Sequence, residues 1–181
     1  MKRALLLLAL AGCGPVDVVI ATVPDGGLHL PPMSPCTVNG DCPPDSFCEK
    51  PNCAALTGEC HRRPLLCSPD AAPVCGCNGV TYWNDCLRSA GGVAASTPGE
   101  CSTSVACGGP LDCPDPQASC AHLVVSGSSC PPNVPGACWV VPPSCPAGAP
   151  VAWRPCGGGA CADLCGAIRS GMPQLQASSC P

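Results

Sequence analysis

The feature that most constrains this chain is its cysteine content, 21 in 181 residues or near 12%. At that density a short sequence reads as a disulfide scaffold, in which cross-links restrict the unfolded state and stand in for a large core. Bulky side chains are correspondingly few: Phe47, Tyr82, Trp83, Trp139 and Trp153 are all the aromatic residues in the chain. The 46% of formally hydrophobic residues consists in large part of Cys and Ala. Such a composition predicts small stapled modules rather than one ordinary core, because apolar burial is what offsets chain entropy. Bridges at this density also predict an oxidising, extracytoplasmic setting.

The first residues agree with export. Lys2 and Arg3 precede the apolar run Ala4 to Ala11, too short to span a bilayer but suited to a signal-peptide core. The run ends in Leu10-Ala11-Gly12-Cys13, which resembles a bacterial lipobox. The resemblance implies a signal peptide over residues 1–12, lipidation of Cys13 and a membrane partner reached through that anchor. Gly14 after the cysteine implies the outer membrane of the envelope. An ordinary secretory leader with a chance cysteine is the alternative, and parity weighs against it: setting Cys13 aside leaves twenty cysteines, which can all pair. Residues 13–35 then read as a lipid-anchored tether. They hold no cysteine after Cys13, carry Pro and Gly breakers, and offer one short strand over Val18 to Val23. Without Lys2 and Arg3, six basic residues face twelve acidic ones, which leaves no basic stripe and excludes nucleic acid as a partner.

The remaining cysteines fall into two tens. The first comprises 36, 42, 48, 53, 60, 67, 75, 77, 86 and 101; the second comprises 107, 113, 120, 130, 138, 145, 156, 161, 165 and 180. Both blocks open with five residues between their first two cysteines and close with fourteen between their last two. Both contain Gly-x-Cys-x-x-x-Pro-x-x-Cys, from Gly58 to Cys67 and from Gly136 to Cys145. Arg88-Ser89 and Arg169-Ser170 fall in corresponding segments. A period this long predicts two tandem copies of one frame rather than a solenoid. Four cysteines at the head of each block form an N-terminal subdomain, residues 36–59 in the first, and their pairing stays open among three connectivities. Locally, Asn78-Gly79 predicts a tight turn before a short strand at Thr81-Tyr82. Asn84 predicts a helix N-cap and Gly91-Gly92 its stop, and a second helical stretch is expected over Ala162 to Arg169.

Residues 60–101 carry a more specific pattern: Pro73-Val74-Cys75-Gly76-Cys77-Asn78-Gly79-Val80-Thr81-Tyr82-Trp83-Asn84-Asp85-Cys86, closing at Gly99-Glu100-Cys101. This resembles the Kazal family of serine protease inhibitors. The fold class implied is small and disulfide-rich, a Kazal-like module of one short helix and a small antiparallel sheet, in tandem with a degenerate copy over 107–180. The resemblance implies bridges Cys67–Cys86 and Cys75–Cys101, and Cys60–Cys77 is the expected third. In the second block, Cys145–Cys165 and Cys156–Cys180 are expected by the same analogy. In the family the loop between the cysteines at 67 and 75 enters a serine protease as a substrate would. That places Ser68, Pro69 and Asp70 at the reactive site, with Pro69 filling the specificity pocket and Pro69–Asp70 as the reactive bond. Asn84 would brace the loop from behind, and Tyr82 would fill the small core supporting it.

The residues themselves keep a second reading open. Proline donates no N–H and fixes φ, and its ring constrains Ser68. A non-inhibitory structural, adhesion or partner-binding module is therefore the alternative. No enzyme activity and no cofactor or metal are expected. No Gly-x-Ser-x-Gly elbow occurs, His29, His61 and His122 are dispersed, and Cys75-x-Cys77 lacks the paired Cys-x-x-Cys of a zinc site. Trp139 and Trp153 read as the core of the second block, or less readily as a binding face.

Overall fold

The computed structural model describes residues 34–131 and 133–180. Cys13, the leader and the strand expected over Val18–Val23 lie outside the described residues. Every element is short, as Pro and Gly at this frequency dictate. The first block gives β1 (Pro35–Cys36), β2 (Ser46–Glu49), β3 (Gly58–Arg62), β4 (Val74–Gly76), β5 (Thr81–Tyr82), helix α1 (Asp85–Gly91) and β6 (Ala95–Pro98). The second gives β7 (Ala106–Cys107), β8 (Ser119–Ala121), β9 (Leu123–Val124), β10 (Gly136–Val140), β11 (Val151–Pro155), β12 (Ala162–Asp163), helix α2 (Leu164–Arg169) and β13 (Gln174–Gln176). The result is a small disulfide-rich fold of short, mostly antiparallel ladders. Among the described residues no helix is long and apolar enough to cross a membrane.

The two blocks repeat one plan. β3 lies between β1 and β2, as β10 lies between β7 and β8. β4 then pairs with β5 and β6, as β11 pairs with β12 and β13. The likeness reaches single atoms. The Asp41 carboxylate accepts the backbone N–H groups of Thr37 and Val38 across a 3-10 turn, and Asp112 accepts those of Gly108 and Gly109 across its counterpart. The shared Gly-x-Cys motif has a steric cause. Gly58 faces Cys36 and Gly136 faces Cys107 across the ladder. A Cβ would lie 2.2 Å from the Glu49 carbonyl oxygen at Gly58, and 2.2 Å from the Cys120 sulfur at Gly136.

Ten bridges join the twenty cysteines from 36 to 180, and each stays within its own block. Three are equivalent in the two: Cys36–Cys48 with Cys107–Cys120, Cys42–Cys60 with Cys113–Cys138, and Cys67–Cys86 with Cys145–Cys165. Cys75–Cys101 completes the first β4–β6 unit. Two expected pairings are corrected. Cys60 does not reach Cys77; it sits on the central strand β3, where Cys42 after the 3-10 turn is its neighbour at a Cα separation of 5.5 Å. Cys77 is taken instead by Cys53, from the β2–β3 connection, at 5.2 Å. Likewise Cys156, just past β11, joins Cys130 from the β9–β10 connection, which leaves Cys161 as the partner of Cys180. Bridge geometry tolerates only Cα separations of this size, so position in the ladder decides the partner.

The Asn78-Gly79 turn forms with only Gly79 at positive φ (74°), where a residue with a Cβ would be strained. The turn leads into β5, and there the two blocks meet. β5 pairs in parallel with β10, Thr81 opposite Trp139 and Tyr82 opposite Val140, giving one sheet in the order β6-β4-β5-β10-β7 with β8 also on β10. Two clusters bury the joint. Val74, Val80 and Tyr82 pack with Ala118, Cys120, Cys138 and Val140, while Trp83 packs with Ala121, Trp139, Val141, Cys165 and Ile168. The Tyr82 hydroxyl donates to Asp115 at 2.8 Å and accepts from Asn78 at 2.9 Å. The blocks are thus tandem in sequence but share a sheet and a core.

Candidate functional site

A run of exposed chain crosses the surface between helix α1 and β4. Leu65 and Leu66 are 94% and 92% exposed, and Ser68 to Ala72 follow, all exposed. The Cys67–Cys86 bridge fastens one end of this loop to α1, and Cys75–Cys101 fastens the other beyond β6.

What shapes the loop lies behind it. Asn84 has extended backbone, and its side-chain oxygen accepts the Leu87 N–H at 3.0 Å, capping α1. An amide also carries donors. The same side chain donates to the Ser68 carbonyl at 2.8 Å and to the Asp70 carbonyl at 3.0 Å. Between those two carbonyls lies that of Pro69, which accepts the indole N–H of Trp83 at 2.7 Å. The Asp70 N–H donates to the Ser68 hydroxyl at 3.2 Å, and that hydroxyl donates to the Asp70 carboxylate at 2.5 Å. The Trp83 carbonyl accepts the Ala72 N–H at 2.9 Å, which closes the far end. Three successive carbonyls are therefore held from within while the Pro69 and Asp70 side chains face solvent.

The helix behind the loop is fixed from its other side. Arg88, 4% exposed, donates to Glu49 at 2.8 Å, to Asp85 at 2.7 Å and to the Val93 carbonyl, and lies over the Phe47 ring. Asn39 donates to the carbonyl of Gly92, the left-handed residue ending α1, at 2.8 Å. The N-terminal subdomain thereby clamps the helix that carries Cys86. Tyr82 is fully buried, and its hydroxyl meets Asn78 and Asp115 rather than the loop. Burial first, and Asp115 second, push its phenol far above the ordinary range, so it stays protonated.

Ser68, Pro69, Asp70 and Asn84 thus come together, and Tyr82 acts at one remove through the core. Trp83 and Asp115 are the residues that sequence reasoning missed. Trp83 stands in the variable place between Tyr82 and Asn84, and apart from Leu87 its neighbours in the cluster all come from the second block. Trp139 is 2% exposed in the second cluster, and with half-buried Trp153 it lines a cleft of about 410 Å³. Among the described residues three clusters of potential metal ligands occur, at Cys36/Cys42/Cys60, Cys107/Cys113/Cys138 and Cys145/Asp163/Cys165. Each consists of disulfide sulfurs, alone or beside one carboxylate, and lacks the thiolates a metal requires. His122 is occupied by the Val134 carbonyl at 2.7 Å.

Compared with known families, residues 63–106 match the model of the Kazal-type serine protease inhibitor domain. The matched stretch holds the whole loop, Trp83, Asn84, α1 and β6, and it ends on the first residue of β7.

Proposed function

We propose that this Kazal-type domain belongs to an exported, lipid-anchored envelope protein and presents the Cys67–Cys75 loop to a serine protease, with Pro69 at the primary specificity position. The observation that carries the reading is the pair of hydrogen bonds that the Asn84 amide donates to the carbonyls of Ser68 and Asp70, which flank Pro69 on both sides. A loop fixed in one conformation loses little entropy on docking, and a cleaved loop held at both ends by bridges stays in register. The protein is a binder in this reading, not an enzyme. Its anchor would be Cys13 and its location the outer membrane, on the strength of the leader alone.

A second reading rests on Pro69 itself. Its ring supplies neither a donor nor a long side chain for a deep pocket, which favours a non-inhibitory adhesion or structural module. The test is inhibition of a panel of serine proteases, proline-cleaving ones included, by the full oxidised chain and by Pro69→Lys. Tight binding of one protease that Pro69→Lys abolishes or redirects supports the loop as the contact. An inert wild type with a trypsin-binding Pro69→Lys leaves a competent scaffold of the second kind. Two inert proteins remove the inhibitor reading. Release of the protein from membranes by Cys13→Ser tests the anchor.

A further inference from the structure

We infer that Trp83 is a latch on the loop: its indole N–H holds the Pro69 carbonyl turned toward the protein, so a protease can engage the Pro69–Asp70 bond only after that contact opens. The inference deepens the loop reading above and rests on it.

A serine protease must place the carbonyl oxygen of the reacting bond in an oxyanion hole, against donors about 2.7–3.1 Å away. Here the oxygen already has such a donor at 2.7 Å, from a side chain only 2% exposed. Trp83 cannot simply withdraw. Its ring is packed among Trp139, Val141, Cys165 and Ile168, and its backbone N–H donates to the Val140 carbonyl at 2.8 Å. The other face of the same peptide unit is also tied, because the Asp70 N–H donates to the Ser68 hydroxyl at 3.2 Å. Asn84 pins the carbonyls on both sides. Opening is therefore a rotation of the Pro69–Asp70 peptide unit that breaks two hydrogen bonds within a fixed frame. Each bond lowers the open population by roughly two- to tenfold, and apparent affinity falls by the fraction that is open. Apart from Leu87 on α1, the residues packed in the cluster around the ring come from the second block, so that block sets how available the loop of the first one is.

The experiment uses the full oxidised chain and Trp83→Phe, which keeps a ring in the core and removes the N–H. Ser68→Ala, which frees the other face from outside the core, is the second variant. Nicking between residues 67 and 75 by subtilisin under native conditions is followed by mass spectrometry after reduction, with nicks elsewhere in the chain as the internal reference. The latch predicts about tenfold faster loop nicking in Trp83→Phe and a smaller increase in Ser68→Ala, with the reference unchanged. Loop nicking unchanged, or rising only in step with the reference, overturns it. Pairing each change with Pro69→Lys and measuring association with trypsin separates the latch from the loop reading. Faster loop nicking with no trypsin binding by any variant keeps the latch and removes the inhibitor reading. Trypsin association equally fast with and without Trp83→Phe keeps the inhibitor reading and removes the latch.

Discussion

Asn84 and Asp163 occupy the same place in the two blocks. Each precedes a short helix, and each accepts one of its backbone N–H groups, Leu87 at 3.0 Å and Gly166 at 2.7 Å. As caps they are equal. As supports they are not, because a carboxylate has no N–H to give and the amide donates to both Ser68 and Asp70. The residue before the cap also differs, Trp83 in one block and Ala162 in the other. The arginines of the two helices differ again. Arg88 is buried among Glu49, Asp85 and Phe47, whereas Arg169 is exposed and donates to the Pro142 carbonyl. One frame thus yields a clamped helix with a braced loop in the first block, and a capped helix alone in the second. The difference traces to the cap, the residue before it and the partners of the arginine, set on a shared ladder plan.

The sharpest way to break the comparison is at the arginines. Arg88→Ala leaves Glu49 facing an unfilled site and should cost about 3–5 kcal/mol in chemical denaturation, while Arg169→Ala should cost under about 1 kcal/mol. Equal losses would show that the clamp is not what distinguishes the blocks. At the glycines the blocks should instead agree. Gly58→Ala and Gly136→Ala each force a Cβ against fixed atoms, and each should cost about 2–3 kcal/mol by the same assay. Exchanging the caps comes next. Asn84→Asp keeps the cap, loses two hydrogen bonds and should cost about 1–3 kcal/mol, whereas Asp163→Asn should change stability by no more than about 0.5 kcal/mol.

The smallest effect lies at the 3-10 turn. The Thr37 backbone N–H, then its hydroxyl and the Val38 N–H, hold the exposed Asp41 carboxyl below its ordinary 3.8. A folded-state value lowered in this way contributes stability that is present above the unfolded value and is lost as pH falls through the folded one. The stability gap between wild type and Asp41→Asn should therefore close as pH drops below the ordinary carboxylate range. An NMR titration of Asp41 with its midpoint at or above 3.8 would contradict the assignment.

Much of this was legible in the sequence, because the relevant signals are local. Cysteine spacing revealed the two blocks, Asn84 the cap, Gly91-Gly92 the helix stop, and the run from Pro73 to Cys86 the domain type. What failed depended on distance in space. Cys60 and Cys77 are plausible partners by order alone, but the path of β3 brings Cys42 to one and the β2–β3 connection brings Cys53 to the other. The parallel ladder between β5 and β10 joins residues 58 apart, Thr81 to Trp139, and no pattern in either segment announces it. Trp83 was invisible for the same reason: its neighbours in the cluster, apart from those on α1, all come from beyond residue 120.

That all ten cross-links stay inside their own blocks has a consequence for cooperativity. Loop closure raises the stability of each half against its own unfolded chain, and it adds nothing to the contact between them. That contact consists of one short ladder, one buried hydroxyl–carboxylate bond and two small apolar clusters. Heating or denaturant should therefore part the halves before either one melts, and the two-state description that suits most small domains would not apply. Calorimetry would then record two transitions, the first of them accompanied by wetting of Trp83 and Trp139. In so heavily stapled a chain, the weakest cooperative element is the one that reaches the exposed loop.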